Sequence, residues 1–138
     1  MDKEKEKKIV RSFFVPRLRD RVIYELSSSK KRKHALGRLC HQYKETLRSE
    51  YFIDISNEGS DEALFIKLLK ENGATSTCYV LSWDEEIDGK ELPLSVAMKK
   101  AMSCGMPSLI ICEPGNIGYF QAEQEVLPTP RFLLKRPL

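Results

Sequence analysis

The sequence contains no apolar run approaching the roughly 20 residues that cross a bilayer, which excludes a membrane-spanning helix. It has no paired cysteines: Cys40, Cys78, Cys104 and Cys112 are far apart, without the spacing that builds zinc folds. Each lies among apolar neighbours, as buried free thiols do. The seven glycines are dispersed, so neither a dinucleotide fingerprint nor a phosphate-binding P-loop is present. There is no Gly-x-Ser-x-Gly, and neither of the two histidines neighbours a nucleophile in a recognisable arrangement. The opening "MDKEKEKKIVRSFFVP" is charged, followed by only a short apolar cluster, and lacks the apolar middle of a secretory signal. These absences together predict a cytoplasmic protein with reduced thiols and no cofactor, metal or membrane association.

What is present fits one domain over residues 1–138, since 138 residues with 41% apolar and 31% charged side chains suffice for a single core. The net charge of +3 conceals an asymmetry. Residues 1–48 carry 15 Lys and Arg against 6 Asp and Glu, a balance of +9, whereas residues 49–138 carry 8 against 14, a balance of −6. The chain therefore divides into a charged, frayed start (1–14), a basic helical pair (15–48) and an α/β core (49–138). The asymmetry is compatible with an anionic partner, with two parts of one fold that attract each other, or with a homodimer.

Pro16 suits the first turn of a helix, and Leu18, Val22 and Leu26 recur at four-residue spacing. Ser27 to Ser29 break the pattern, and a second helix is expected from about residue 30 to 48, with Leu36, Leu39, Cys40, Tyr43 and Leu47 on its apolar stripe. From residue 51 the pattern alternates. "YFIDIS" reads as a strand, Ser60 to Asn72 as a helix, "TCYVLSW" as a strand, "DEEIDGKELP" as a loop, and Leu94 to Cys104 as a helix stopped by Gly105. Leu109 to Cys112 and "IGYFQ" form a hairpin, with "EPGN" expected as a type II turn, and Arg131 to Lys135 is a last strand. The expected fold class is α/β: a small, mostly parallel sheet, β-α-β-α-β plus an antiparallel hairpin, with two N-terminal helices.

Two sites stand out. Lys30, Lys31, Arg32, Lys33 and Arg38 cluster at and near the start of the second basic helix, where the helix dipole disfavours cations, so they are the candidate anion-binding residues. His34 and His41 share that helix, but seven residues separate them by about 10.5 Å along the axis, too far for one metal ion. The second candidate is catalytic. In an open parallel sheet ligands gather beyond the strand C-termini, and Asp54, Asp84 and Glu113 follow three expected strands, a carboxylate set suited to Mg²⁺. The sequence thus favours a binding or regulatory module whose basic helical surface meets nucleic acid or another polyanion. The alternatives are a metal-dependent phosphodiesterase and a homodimeric interaction protein.

Overall fold

The computed structural model describes residues 1–125 and 127–137, and all structural statements below concern those residues. The charged start, expected to fray, forms helix α1 (Lys3–Phe13). The Asp2 side chain accepts the Lys5 N–H at its first turn, Glu4 and Glu6 oppose the positive end of the dipole, and Ile9, Val10 and Phe13 form a buried stripe. Pro16 opens a short 3₁₀ turn that leads into α2 (Arg19–Ser27). The second basic helix is divided in two, α3 (Arg32–His41) and α4 (Tyr43–Thr46), because Gln42 leaves helical geometry between them. Helix α5 (Glu62–Glu71) is capped by Asp61, whose side chain accepts the Leu64 N–H, and α6 (Leu94–Cys104) ends at Gly105 in the left-handed region.

Six strands form one sheet: β1 (Phe52–Asp54), β2 (Thr77–Ser82), β3 (Glu91–Pro93), β4 (Ser108–Cys112), β5 (Ile117–Gln121) and β6 (Arg131–Lys135). Their order is β1-β6-β5-β4-β2-β3, and every neighbouring pair is antiparallel. The expected mostly parallel sheet is therefore wrong. The difference begins in "DEEIDGKELP", expected to be a loop, whose end is strand β3. This strand reverses the chain beside β2, so α6 departs from β3 and delivers β4 antiparallel to β2. Counting the reversals across the sheet, β1 and β2 do run the same way, but β6, β5 and β4 lie between them. The β4–β5 hairpin is present, closed by Gly115 N–H to Cys112 O at 2.7 Å, with a cis Glu113–Pro114 peptide rather than a type II turn.

The sheet is the middle of three layers. Tyr79, Leu81, Leu109, Ile111, Phe120 and Leu134 face the N-terminal helices, burying Val10, Phe13, Phe14, Val22 and Leu39. The alternate residues Val80, Ile110, Ile117, Tyr119 and Leu133 face α5 and α6, burying Phe65, Leu69, Met98 and Ala101. Helices on both faces explain why β4 and β5 are buried at every position and why Leu109 to Cys112 is a continuous apolar run. Each Leu, Ile or Phe side chain among them taken out of water stabilises the fold by about 1.5–3 kcal/mol before the cost of ordering it. No helix among the described residues is long and apolar enough to cross a membrane.

Candidate functional site

The antiparallel sheet separates the three expected catalytic carboxylates. Ser82 is paired with Ser108 and Cys78 with Cys112, so Asp84, beyond the end of β2, and Glu113, beyond the end of β4, lie at opposite ends of the sheet. Asp54 is on β1, four strand positions from β2, or roughly 19 Å at about 4.8 Å per step. Each has a local role instead. Asp54 accepts the Ser56 N–H at 2.8 Å, and the Ser56 hydroxyl and N–H hold it below the usual carboxylate range. Asp84 accepts the Glu86 N–H at 3.0 Å, and Glu113 lies 3.7 Å from the Lys5 ammonium.

The five candidate anion-binding cations have separate fates. Arg32 is buried at 6% exposure, with its guanidinium between Glu6 (2.8 Å) and Asp88 (2.7 and 3.2 Å) and a further bond to Leu26 O. Burial opposes its charge, but the hydrogen bonds to Glu6 and Asp88 prevail and hold its pKa above the ordinary value. Tyr79 completes the cluster by donating to Glu6 at 2.6 Å. Lys33 pairs with Glu85 at 2.8 Å and lies 4.7 Å from the Trp83 ring centroid. Arg38 donates to Glu25 at 3.2 and 3.3 Å. Lys31 sits 5.8 Å from the ring centroid of Tyr24, and neither it nor exposed Lys30 has a carboxylate partner among the described residues.

A second buried guanidinium has no such counter-charges. Arg131, the first residue of β6, is 4% exposed, yet no carboxylate among the described residues pairs with it. Its Nη1 donates to the Tyr119 hydroxyl at 2.8 Å, and the guanidinium lies 5.7 Å from the Phe65 ring centroid. Tyr119 in turn donates to Gln121 Oε1 at 2.8 Å, and Gln121 Nε2 donates to Ala101 O and Met106 O, both at 2.8 Å. Burial pushes the Tyr119 phenol up to about 12, so it keeps its proton at neutral pH and accepts from Arg131 while donating to Gln121. This chain fixes the guanidinium from beneath.

Beside it lies a cleft of about 390 Å³, lined by Gly59 and Ser60 of the loop before α5 and by Thr129 and Arg131 at the approach to β6, with exposed Leu127 and Pro128 at the rim. Thr129 is 4% exposed, and its hydroxyl has no hydrogen-bond partner among the described residues. Ser56 pins the base of the cleft to β6, its hydroxyl accepting the Arg131 N–H at 3.0 Å. Gly59, on the loop before α5, has φ 79° and ψ −148°, a conformation open essentially to glycine alone. A buried cation without a counter-ion and a buried hydroxyl without a partner among the described residues, each unfavourable alone, line one cleft.

The sequence held a signal for this site. Period-two alternation puts Arg131 on the same inward face as Leu133, and a charge among apolar side chains on a covered face needs a partner. Elsewhere, His41 at the end of α3 lies beside Glu123 and Glu125 of the loop before β6, their ligand atoms all within 4.8 Å of one another. No spacing rule links those positions. Comparison of the chain with protein-family models, with curated proteins and with solved structures finds no match.

Proposed function

We propose that this chain is a binding module for a small anionic ligand, held at Arg131. The observation that carries the reading is the contrast between two equally buried arginines. Arg32 is enclosed by two carboxylates, whereas Arg131, among the described residues, meets only a neutral phenol and an aromatic ring. An uncompensated buried charge costs several kcal/mol, and a cation–π contact returns only about 0.5–2 of that, so an anion in the cleft would restore the balance.

The other readings from the sequence have less support. A polyanion surface on the basic helices retains Lys30 and Lys31 of its five residues, the remaining three being engaged within the chain. Part of the charge asymmetry is met internally, because Lys5–Glu91, Arg32–Asp88 and Lys33–Glu85 all join the basic third to the acidic remainder.

The test is thermal denaturation of wild type and Arg131→Met with increasing inorganic phosphate, sodium chloride serving as the ionic-strength control. The wild type should gain stability by linkage, by about 2.7 kcal/mol at a hundredfold excess over Kd. Arg131→Met should lose that gain and, with no buried charge to accommodate, be at least as stable as wild type without anion. A phosphate response that survives the substitution would overturn the proposal.

A further inference from the structure

Resting on that reading, we infer that the anion is a phosphoryl group, carried by a small organic phosphate rather than a carboxylate. A guanidinium fork alone suits either group, because both offer two oxygens for parallel bonds. The rest of the cleft makes the difference. One of the five N–H groups of Arg131 is engaged by Tyr119, leaving four without a partner among the described residues, and Thr129, whose hydroxyl is also unpartnered there, and Ser60 line the same cleft. These donors come from two elements, the approach to β6 and the loop before α5, so they meet a ligand from two sides. A planar carboxylate engaged by the fork presents its remaining lone pairs in the same plane. A tetrahedral phosphoryl group carries a third terminal oxygen out of that plane, where a hydroxyl donor can reach it. The neutral hydroxyls also spread the ligand's charge without needing counter-charges of their own.

Size and lining give the remainder. A phosphoryl group fills only a fraction of the roughly 390 Å³ cleft, and its rim is Leu127 and Pro128, which suit an apolar or ring-bearing body. The Asp61 carboxylate, near in sequence, is turned to the Leu64 N–H at 3.1 Å and does not line the cleft.

The probes are phenyl phosphate, inorganic phosphate and benzoate, titrated by calorimetry into wild type, Thr129→Val and Arg131→Met at constant ionic strength. Phenyl phosphate should bind at least tenfold tighter than benzoate, and tighter than inorganic phosphate. It should also tighten between pH 5 and 7, as the second phosphate proton leaves near pH 6. Thr129→Val, which matches threonine in shape and removes only the unpartnered hydroxyl, should weaken phenyl phosphate about tenfold and leave benzoate unchanged. Benzoate binding as tightly as phenyl phosphate, with Thr129→Val without effect, would sink the phosphoryl assignment while the anion site stands. Binding of every probe undiminished in Arg131→Met would sink both.

Discussion

Cys78 on β2 and Cys112 on β4 occupy directly opposed register positions, and both side chains face α5 and α6. Burial pushes each thiol up to about 12, so neither forms thiolate at neutral pH. Of the remaining two, Cys104 is exposed and Cys40 half-buried, the latter pushed up to about 11, chiefly by burial. Titration of the native protein with a chromogenic disulfide reagent should label Cys104 first and Cys40 slowly, while Cys78 and Cys112 wait for denaturant. Rapid labelling of all four thiols in the native state would contradict the core described for α5 and α6.

Arg32 should be the costliest single cation to remove. Arg32→Ala leaves Glu6 and Asp88 buried without a partner, and the expected loss is about 3–5 kcal/mol in urea denaturation. Adding Glu6→Gln and Asp88→Asn to Arg32→Met should recover part of that loss, since no buried charge then remains. Lys30→Ala, on an exposed side chain, serves as the control and should change stability by no more than about 0.5 kcal/mol.

The hydrogen bond that the protonated Glu123 carboxyl donates to the Glu125 carboxylate holds Glu123 above its usual range, partly offset by His41. A group whose pKa is raised on folding binds its proton more tightly in the native state. Its stabilising contribution is therefore complete below the unfolded pKa and fades as pH rises through the folded value. Glu125→Gln should bring Glu123 back toward an ordinary carboxylate, as read from side-chain carbonyl shifts in an NMR titration, and should flatten stability against pH in that window. An unchanged Glu123 midpoint would show that the two carboxyls do not interact.

Asp54, Asp84 and Glu113 lie too far apart to share an ion, so Mg²⁺ should leave the melting temperature of Asp84→Asn and wild type equally unmoved. A Mg²⁺-dependent rise that Asp84→Asn abolishes would require a different sheet.

Gly59→Ala should destabilise by about 1–3 kcal/mol, wholly from backbone strain, because nothing lies within 4 Å of where the added carbon would sit. The same substitution should weaken phosphate binding, since it moves one wall of the cleft. Calorimetric melting with and without phosphate separates the two effects.

Local sequence patterns located the helices after residue 60 and the longer strands because burial stripes and capping residues act within a few positions. Leu94, Ala97, Met98 and Ala101 with Gly105 define α6 without reference to anything distant. Pairing was not legible. The reversal at Glu91–Pro93 involves three residues too few to show a period, and it set the direction of β4 and separated the expected carboxylates. The division at Gln42 left no mark, since neither Gly nor Pro stands there. Arg32 read as a surface cation because its partners Glu6 and Asp88 lie 26 and 56 positions away. Arg131 was legible as an inward charge, but its lack of a carboxylate partner among the described residues became visible only with the fold.

The outermost strands, β1 and β3, are three residues each, and β3 ends in Pro93, which has no N–H to offer. Such short borders give a second chain almost no ladder to extend, while the strongly apolar segments "SLIIC" and "IGYFQ" sit in the middle of the sheet. The protection depends on very few hydrogen bonds. Release of β1 would bare the edge of "RFLLK", and release of β3 that of "TCYVLS", so the first failure of this protein under stress should be self-association through a newly opened strand rather than loss of its helices.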